Sequence, residues 1–220
     1  MRNIINRGLV ALVFSGFLVG SVQAAIISAS GGTSSATGLA SIVAAPADVS
    51  DDAAINTAQQ GFDEAQGVVT SQAFDTDQGT IAAGTRVDSH MIFLNSQGNT
   101  LITHFNVEWT FSGAILGIMA DIGGTDEAAS SAELGAAGTT YPSAFANRGL
   151  EGDYNDGVFA NNDEYSFIGN VLTLSMKVTE PGDWIRVVTV SAVPLPAALP
   201  LYAAGVALLG FLGWRKRKLS

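Results

Sequence analysis

Residues Thr100–Ser112 alternate without a break. Leu101, Thr103, Phe105, Val107, Trp109 and Phe111 fall on one side, and Ile102, His104, Asn106, Glu108, Thr110 and Ser112 on the other. A period of two cannot be kept by a helix, whose faces repeat every 3.6 residues. The stretch therefore predicts a half-buried antiparallel strand with its aromatic side inward. Such a strand needs partners, and the chain supplies them. Thr85–Leu94 places Val87, Ser89, Met91 and Phe93 opposite Asp88, His90, Ile92 and Leu94, and both sides turn apolar, as in an interior strand. Val68–Phe74, Ala114–Ala120 (after a break at Gly113), Tyr165–Ile168, Val171–Val178 and Trp184–Ala192 read as further strands. Ser96-Gln97-Gly98-Asn99, Gly169-Asn170 and Glu180-Pro181-Gly182-Asp183 read as turns. Six or seven strands without a sustained helix predict an all-β fold, an antiparallel β-sandwich of jelly-roll or immunoglobulin-like kind, over residues 61–192.

The rest of the chain is less regular. Residues 25–60 begin with Ala, Ser, Gly and Thr and read as a flexible lead into the domain. Within it, Asp48–Gln60 has helix-start chemistry, with Ser50 as N-cap and Asp51 and Asp52 in the first turn. Asp121–Glu164 is a loop-rich centre, with helical turns expected over Asp126–Leu134.

Both ends have the composition of sorting signals. Arg2 and Arg7 precede the apolar run Leu9–Val19, and Val22 and Ala24 suit the −3 and −1 positions of a signal peptidase site. Residues 1–24 are therefore expected to be a signal helix, cut between Ala24 and Ala25. At the other end, the Pro-rich stretch Val193-Pro194-Leu195-Pro196-Ala197 leads into an apolar segment, 197–214, and then Arg215, Lys216, Arg217 and Lys218. That segment has the length of a short transmembrane helix. Its basic end is expected to stay cytoplasmic and leave the domain outside.

Setting the ends aside changes the meaning of the charge. The whole chain carries −10, but six of its ten Lys and Arg lie in the ends. The middle keeps four basic residues against all twenty acids, a net charge of −16. Such a surface repels nucleic acid and anionic lipid and suits an exported protein. Cysteine is absent, which removes thiol nucleophiles and thiolate metal sites.

Candidate chemistry is sparse, and no catalytic residue is assigned. Asp88-Ser89-His90 is not a nucleophile arrangement, because neighbours on a strand point to opposite faces. His90 and His104 could meet across a hairpin, with Glu108 joining them. Arg186, beside Asp183 and Asp88, is a candidate for an ion pair between strands. The acidic run Glu151–Glu164 offers oxygen ligands to Ca²⁺ from Asp153, Asn155, Asp156, Asp163 and Glu164, although its spacing is not that of an EF-hand. No phosphate loop or zinc motif is present.

Val193-Pro194-Leu195-Pro196-Ala197, Leu199-Pro200-Leu201, Gly213-Trp214 and Arg215–Lys218 together resemble the PEP-CTERM exosortase-sorting tail in its Val-Pro-Leu-Pro-Ala form. Leu195 stands where the family name has Glu. The resemblance implies an exosortase as partner, a transient inner-membrane anchor, and a cut near Pro194–Pro196 that releases or transfers the domain. Gly61-Phe62-Asp63-Glu64, Ala83–His90, Gly117-Ile118 and Pro181–Val187 look like blocks of exported domains of this class. The class is associated with Gram-negative bacteria that build exopolysaccharide and biofilm matrix. The implied role is a structural or adhesive surface or matrix protein, not an enzyme, with exopolysaccharide as a partner. A carbohydrate- or Ca²⁺-binding module, or a secreted hydrolase with unidentified carboxylates, are the alternatives.

Overall fold

Strand pairing organises the molecule from its first described residues. The computed structural model describes residues 25–151, 163–191 and the single residue 205. Its strands and helix fall in one compact unit, Gln23–Val193. In chain order they are β1 (Ile26–Ser34), β2 (Ser41–Ile42), β3 (Gln60–Asp63), β4 (Val68–Val69), β5 (Phe74–Thr76), β6 (Gly79–Ile81), β7 (Arg86–Leu94), β8 (Ile102–Phe111), β9 (Ile115–Met119), α1 (Thr125–Leu134), β10 (Glu164–Ile168), β11 (Val171–Val178) and β12 (Asp183–Val190). The fold is mostly β and, apart from the β2–β3 pair, its strands pair antiparallel.

One sheet has the order β1-β8-β11-β10 and the other β2-β3-β7-β12-β9, with β4 also on β7. The chain crosses between these sheets in passing from β1 to β2, β7 to β8, β8 to β9, β9 to β10 and β11 to β12. Ile92, Leu94, Ile118, Ile185 and Val187 of the second sheet share a core with Val107, Trp109, Phe111, Leu172, Leu174 and Met176 of the first. The opposite face of the second sheet is also covered. There Met91, Phe93 and Trp184 pack with Val49 and Phe62, while Val87, Val188 and Met119 pack with Leu134, Phe74 and Ile81. Burial on both sides is why β7 loses its polar face.

The long strand β8 departs from its sequence pattern. Val107, Trp109 and Phe111 point inward, but upstream it is Ile102 and His104 that are buried, while Leu101 is exposed. The change of face occurs at Asn106, which adopts a left-handed φ of 57°. Three steps of β8, from Val107 to His104, oppose two steps of β11, from Leu174 to Met176. The extra residue is a β-bulge, and one added residue exchanges the two faces of a strand.

The same bulge explains β1. Residues 25–60, expected to be a flexible lead, instead provide β1 as the partner of β8. Gly32, with φ +78°, sits against the bulge; a Cβ there would come within 2.6 Å of Val107 Cγ2 and 2.8 Å of His104 Nε2. The small residues that suggested looseness are what let β1 approach. The expected helix at Asp48–Gln60 is also corrected. Asp48 caps the backbone N–H of Ser50 at 2.8 Å, a single turn follows, and Asn56 exchanges hydrogen bonds with Asn95. Val49 is fully buried and its carbonyl accepts from Trp184 Nε1 at 2.7 Å, so tertiary anchoring replaces helical bonds.

Candidate functional site

Three buried polar constellations among the described residues bear on function. The first surrounds the histidines. His90, on β7, has Nδ1 2.7 Å from Asp63 Oδ1 and Nε2 3.2 Å from Thr189 Oγ1, with its ring 4.9 Å from that of Phe111. His104, on β8, accepts the Gln59 backbone N–H at Nδ1, 3.0 Å away. Gln59 donates to the His104 and Leu174 carbonyls and accepts from Trp109 Nε1 at 2.9 Å. An accepting Nδ1 requires the neutral Nε2–H tautomer, and burial holds the His104 pKa below its ordinary value. The two histidines do not meet across a hairpin, and both are buried. β7 and β8 belong to different sheets, each imidazole has its own partners, and Glu108 is exposed on the outer side. Ser89 bonds Glu64 Oε2 at 2.6 Å, away from His90, as strand alternation requires.

The second constellation lies between the second sheet and α1. Helix α1 starts on Asp121, whose carboxylate accepts the N–H groups of Thr125 and Asp126 at 2.8 and 3.1 Å. Glu127, Ser130 and Ser131, spaced three and four apart, then share one helical face. Arg186 on β12 grips Glu64 at both oxygens, Nε to Oε2 at 2.7 Å and Nη2 to Oε1 at 2.8 Å. It also donates to Ser130 Oγ at 2.6 Å and pairs with Glu127 at 3.2 Å. Arg148 pairs with Glu127 and lies 5.9 Å from the Trp184 ring centroid. Burial, then the charge of Arg186, lower the Arg148 pKa to about 10. Arg186 therefore pairs with Glu64 and Glu127, not with Asp183 or Asp88 as its position suggested. The reason is its place on the Trp184–Val188 face, turned away from Asp88. Two cations and two anions leave this cluster neutral, and it reads as structural glue.

The third constellation is acidic only. It occupies the end of the molecule where β10 begins and β11 turns into β12. Asp183 is buried, 2% exposed, and its Oδ2 has no hydrogen-bond donor. The group it faces is another buried carboxylate, Asp163, which also lies against Glu151. The Lys177 backbone N–H donates to Asp163 Oδ1. Burial first, and then the neighbouring carboxylates, raise Asp183 well above the usual carboxylate range. Burial raises Asp163 as well, and burial with the Asp163 charge takes Glu151 to about 7. Beside them is a cavity of about 20 Å³ lined by Asn147, Glu151, Lys177, Thr179, Glu180 and Asp183 among others. Glu180 in turn faces Asp51; burial and that neighbour raise Asp51 to about 6. The turn that aims Asp183 has Gly182 at φ +110°, where a Cβ would come within 2.5 Å of Asn95 Oδ1.

Of the Ca²⁺ ligands expected from sequence, Asp163 and Glu164 are buried at this end, while Asp153, Asn155 and Asp156 lie outside the described residues. No group of three or more His, Asp or Glu side chains among the described residues converges tightly enough to hold a metal on its own. The sorting residues Val193–Ala197, the basic residues Arg215–Lys218 and the span 197–214, except Gly205, also lie outside the described residues, as does Ala24. Ala25 is described, its N–H bonded to Ser112 Oγ at 2.8 Å. Among the described residues no helix is long and apolar enough to cross a membrane. Protein-family models, curated proteins and solved structures give no match to this chain. Sequence reading missed Asp183 as a site residue because it looked like part of a turn. The available signal was its place in a Pro-Gly-Asp turn leading into an apolar strand.

Proposed function

We propose that this chain is an exported protein, sorted through its C-terminal tail by an exosortase-type peptidase, whose mature domain serves as a structural or adhesive component of the cell surface or exopolysaccharide matrix. The observation that carries this reading is the tail Val193–Ser220, with its Pro-rich motif, apolar span and basic end. The signal-like N-terminus supplies the export that the tail presupposes. The geometry is compatible with removal of both ends. Ala25 is bonded to Ser112, and the Ser191 N–H bonds the Arg86 carbonyl at 3.4 Å. Cuts after Ala24 and near Pro194–Pro196 would therefore leave every described strand in place.

Within the all-β class, we read the two sheets and the crossings β7–β8 and β11–β12 as a jelly-roll or immunoglobulin-like sandwich. A non-catalytic role is supported by the commitment of both histidines and of Ser89 to internal bonds. Intact-mass analysis of protein from its native envelope tests the reading. A mass running from Ala25 to Pro194–Pro196 supports it. A species that keeps Trp214 and the basic cluster overturns it.

A further inference from the structure

We propose that Asp163 and Asp183, with Glu151 adjoining, form a divalent-cation site, chemically suited to Ca²⁺, at the end of the sandwich where the β11–β12 turn meets the start of β10. Two buried carboxylates in contact are unfavourable unless something positive lies between them. Asp163 accepts the Lys177 backbone N–H, and its side-chain neighbours are the Glu151 and Asp183 carboxyls, while Asp183 Oδ2 has no donor. The neighbouring cation, Lys177, has an exposed side chain at the cavity rim. The other charged groups on the rim, Glu151 and Glu180, add negative charge.

The cavity of about 20 Å³ beside Asp183 exceeds the ~10–15 Å³ that one water or small ion occupies. Asn147 and Thr179 also line it and are oxygen-bearing neutral residues. All-oxygen surroundings select a hard cation, and flexible coordination with waters filling the remaining positions favours Ca²⁺ over Mg²⁺. Asp163 neighbours both Glu151 and Asp183, and of these Glu151 and Asp183 line the cavity itself. This leaves two carboxylates for one ion, not a converging triad, and fits the modest affinities of extracellular Ca²⁺ modules. The site rests on these described residues alone and is independent of the export reading, which the mass measurement tests separately.

The experiment uses the full-length protein in mild detergent, stripped with EDTA and dialysed at neutral pH. Calorimetry and thermal melts are run with CaCl₂, MgCl₂ and NaCl up to about 5 mM divalent ion, above the ~0.1–1 mM Kd of extracellular Ca²⁺ sites. Ca²⁺ should bind and raise Tm, by roughly 2–9 °C at the ~5–50-fold excess over Kd that about 5 mM provides. Asp183→Asn should weaken binding at least about tenfold, yet melt no lower than wild type in EDTA, because it removes a buried repulsion. If that variant does not fold, Asp163→Asn carries the same expectation for binding. No heat and no Tm change with Ca²⁺ in wild type overturns the site. So does wild-type Ca²⁺ affinity in the folded variant. A Tm that rises on acidification but ignores Ca²⁺ also overturns it, since a proton then neutralises the pair.

Discussion

Strand β12 carries two opposite solutions to the same problem, three residues apart. Arg186 is buried in a cluster where two arginines meet Glu64 and Glu127, and the charges cancel. Asp183 is buried among carboxylates, and they do not cancel. The first arrangement is complete within the chain. The second is left dependent on a proton or a cation from outside. Burial alone therefore does not mark a functional group; burial without compensation does.

The sharpest way to break the contrast is Arg186→Ala. It would strand Glu64 without its cation and leave Glu127 with Arg148 alone, and should cost about 3–5 kcal/mol of stability, read as a fall in the urea midpoint. No loss, or a gain like the one expected of Asp183→Asn, would erase the distinction between the clusters.

The next test is pH. Glu151, Asp163 and Asp183 all have folded-state pKa values above their unfolded ones. The folded state then binds more protons than the unfolded state, so these groups favour folding at low pH and lose that contribution as pH rises through their folded values. In EDTA, Tm should increase as pH falls from 8 toward 5.5, a window that includes the Glu151 value of about 7. A flat profile would mean that the acidic end is not repulsive.

Asp183→Asn should flatten that profile and stabilise the EDTA-treated protein at pH 8 by about 1 kcal/mol, measured by chemical denaturation. Glu151→Gln should do the same more weakly, within about 0.5 kcal/mol, because Glu151 is more open to solvent. Equal effects of the two substitutions would show that depth of burial is not what distinguishes Asp183.

Much of the strand grammar was legible in the chain. Val171–Val178 has the same bounds in sequence and structure, and Ser89 and His90 diverge as alternation demands. These are short-range properties: side chains alternate on an extended backbone whatever lies beyond it. The bulge at Asn106 was hidden because both registers of β8 have apolar residues to bury, Phe105 on one face and Ile102 on the other. The choice between them came from β11 and β1. The role of Gly32 was hidden in the same way, since a glycine looks identical in a loose lead and against a bulge.

By itself, the sequence determined the mostly-β fold class, the turn positions and the acidity of the stretch between its ends. These depend on composition and on neighbours a few residues apart. Only the tertiary structure decided which charges are compensated. Glu64, Glu127 and Arg186 come from β3–β4, α1 and β12, and Glu151, Asp163 and Asp183 from three separate stretches. Coulomb energy depends on distance through space and on how much water is excluded, and neither is written in the spacing of residues along the chain.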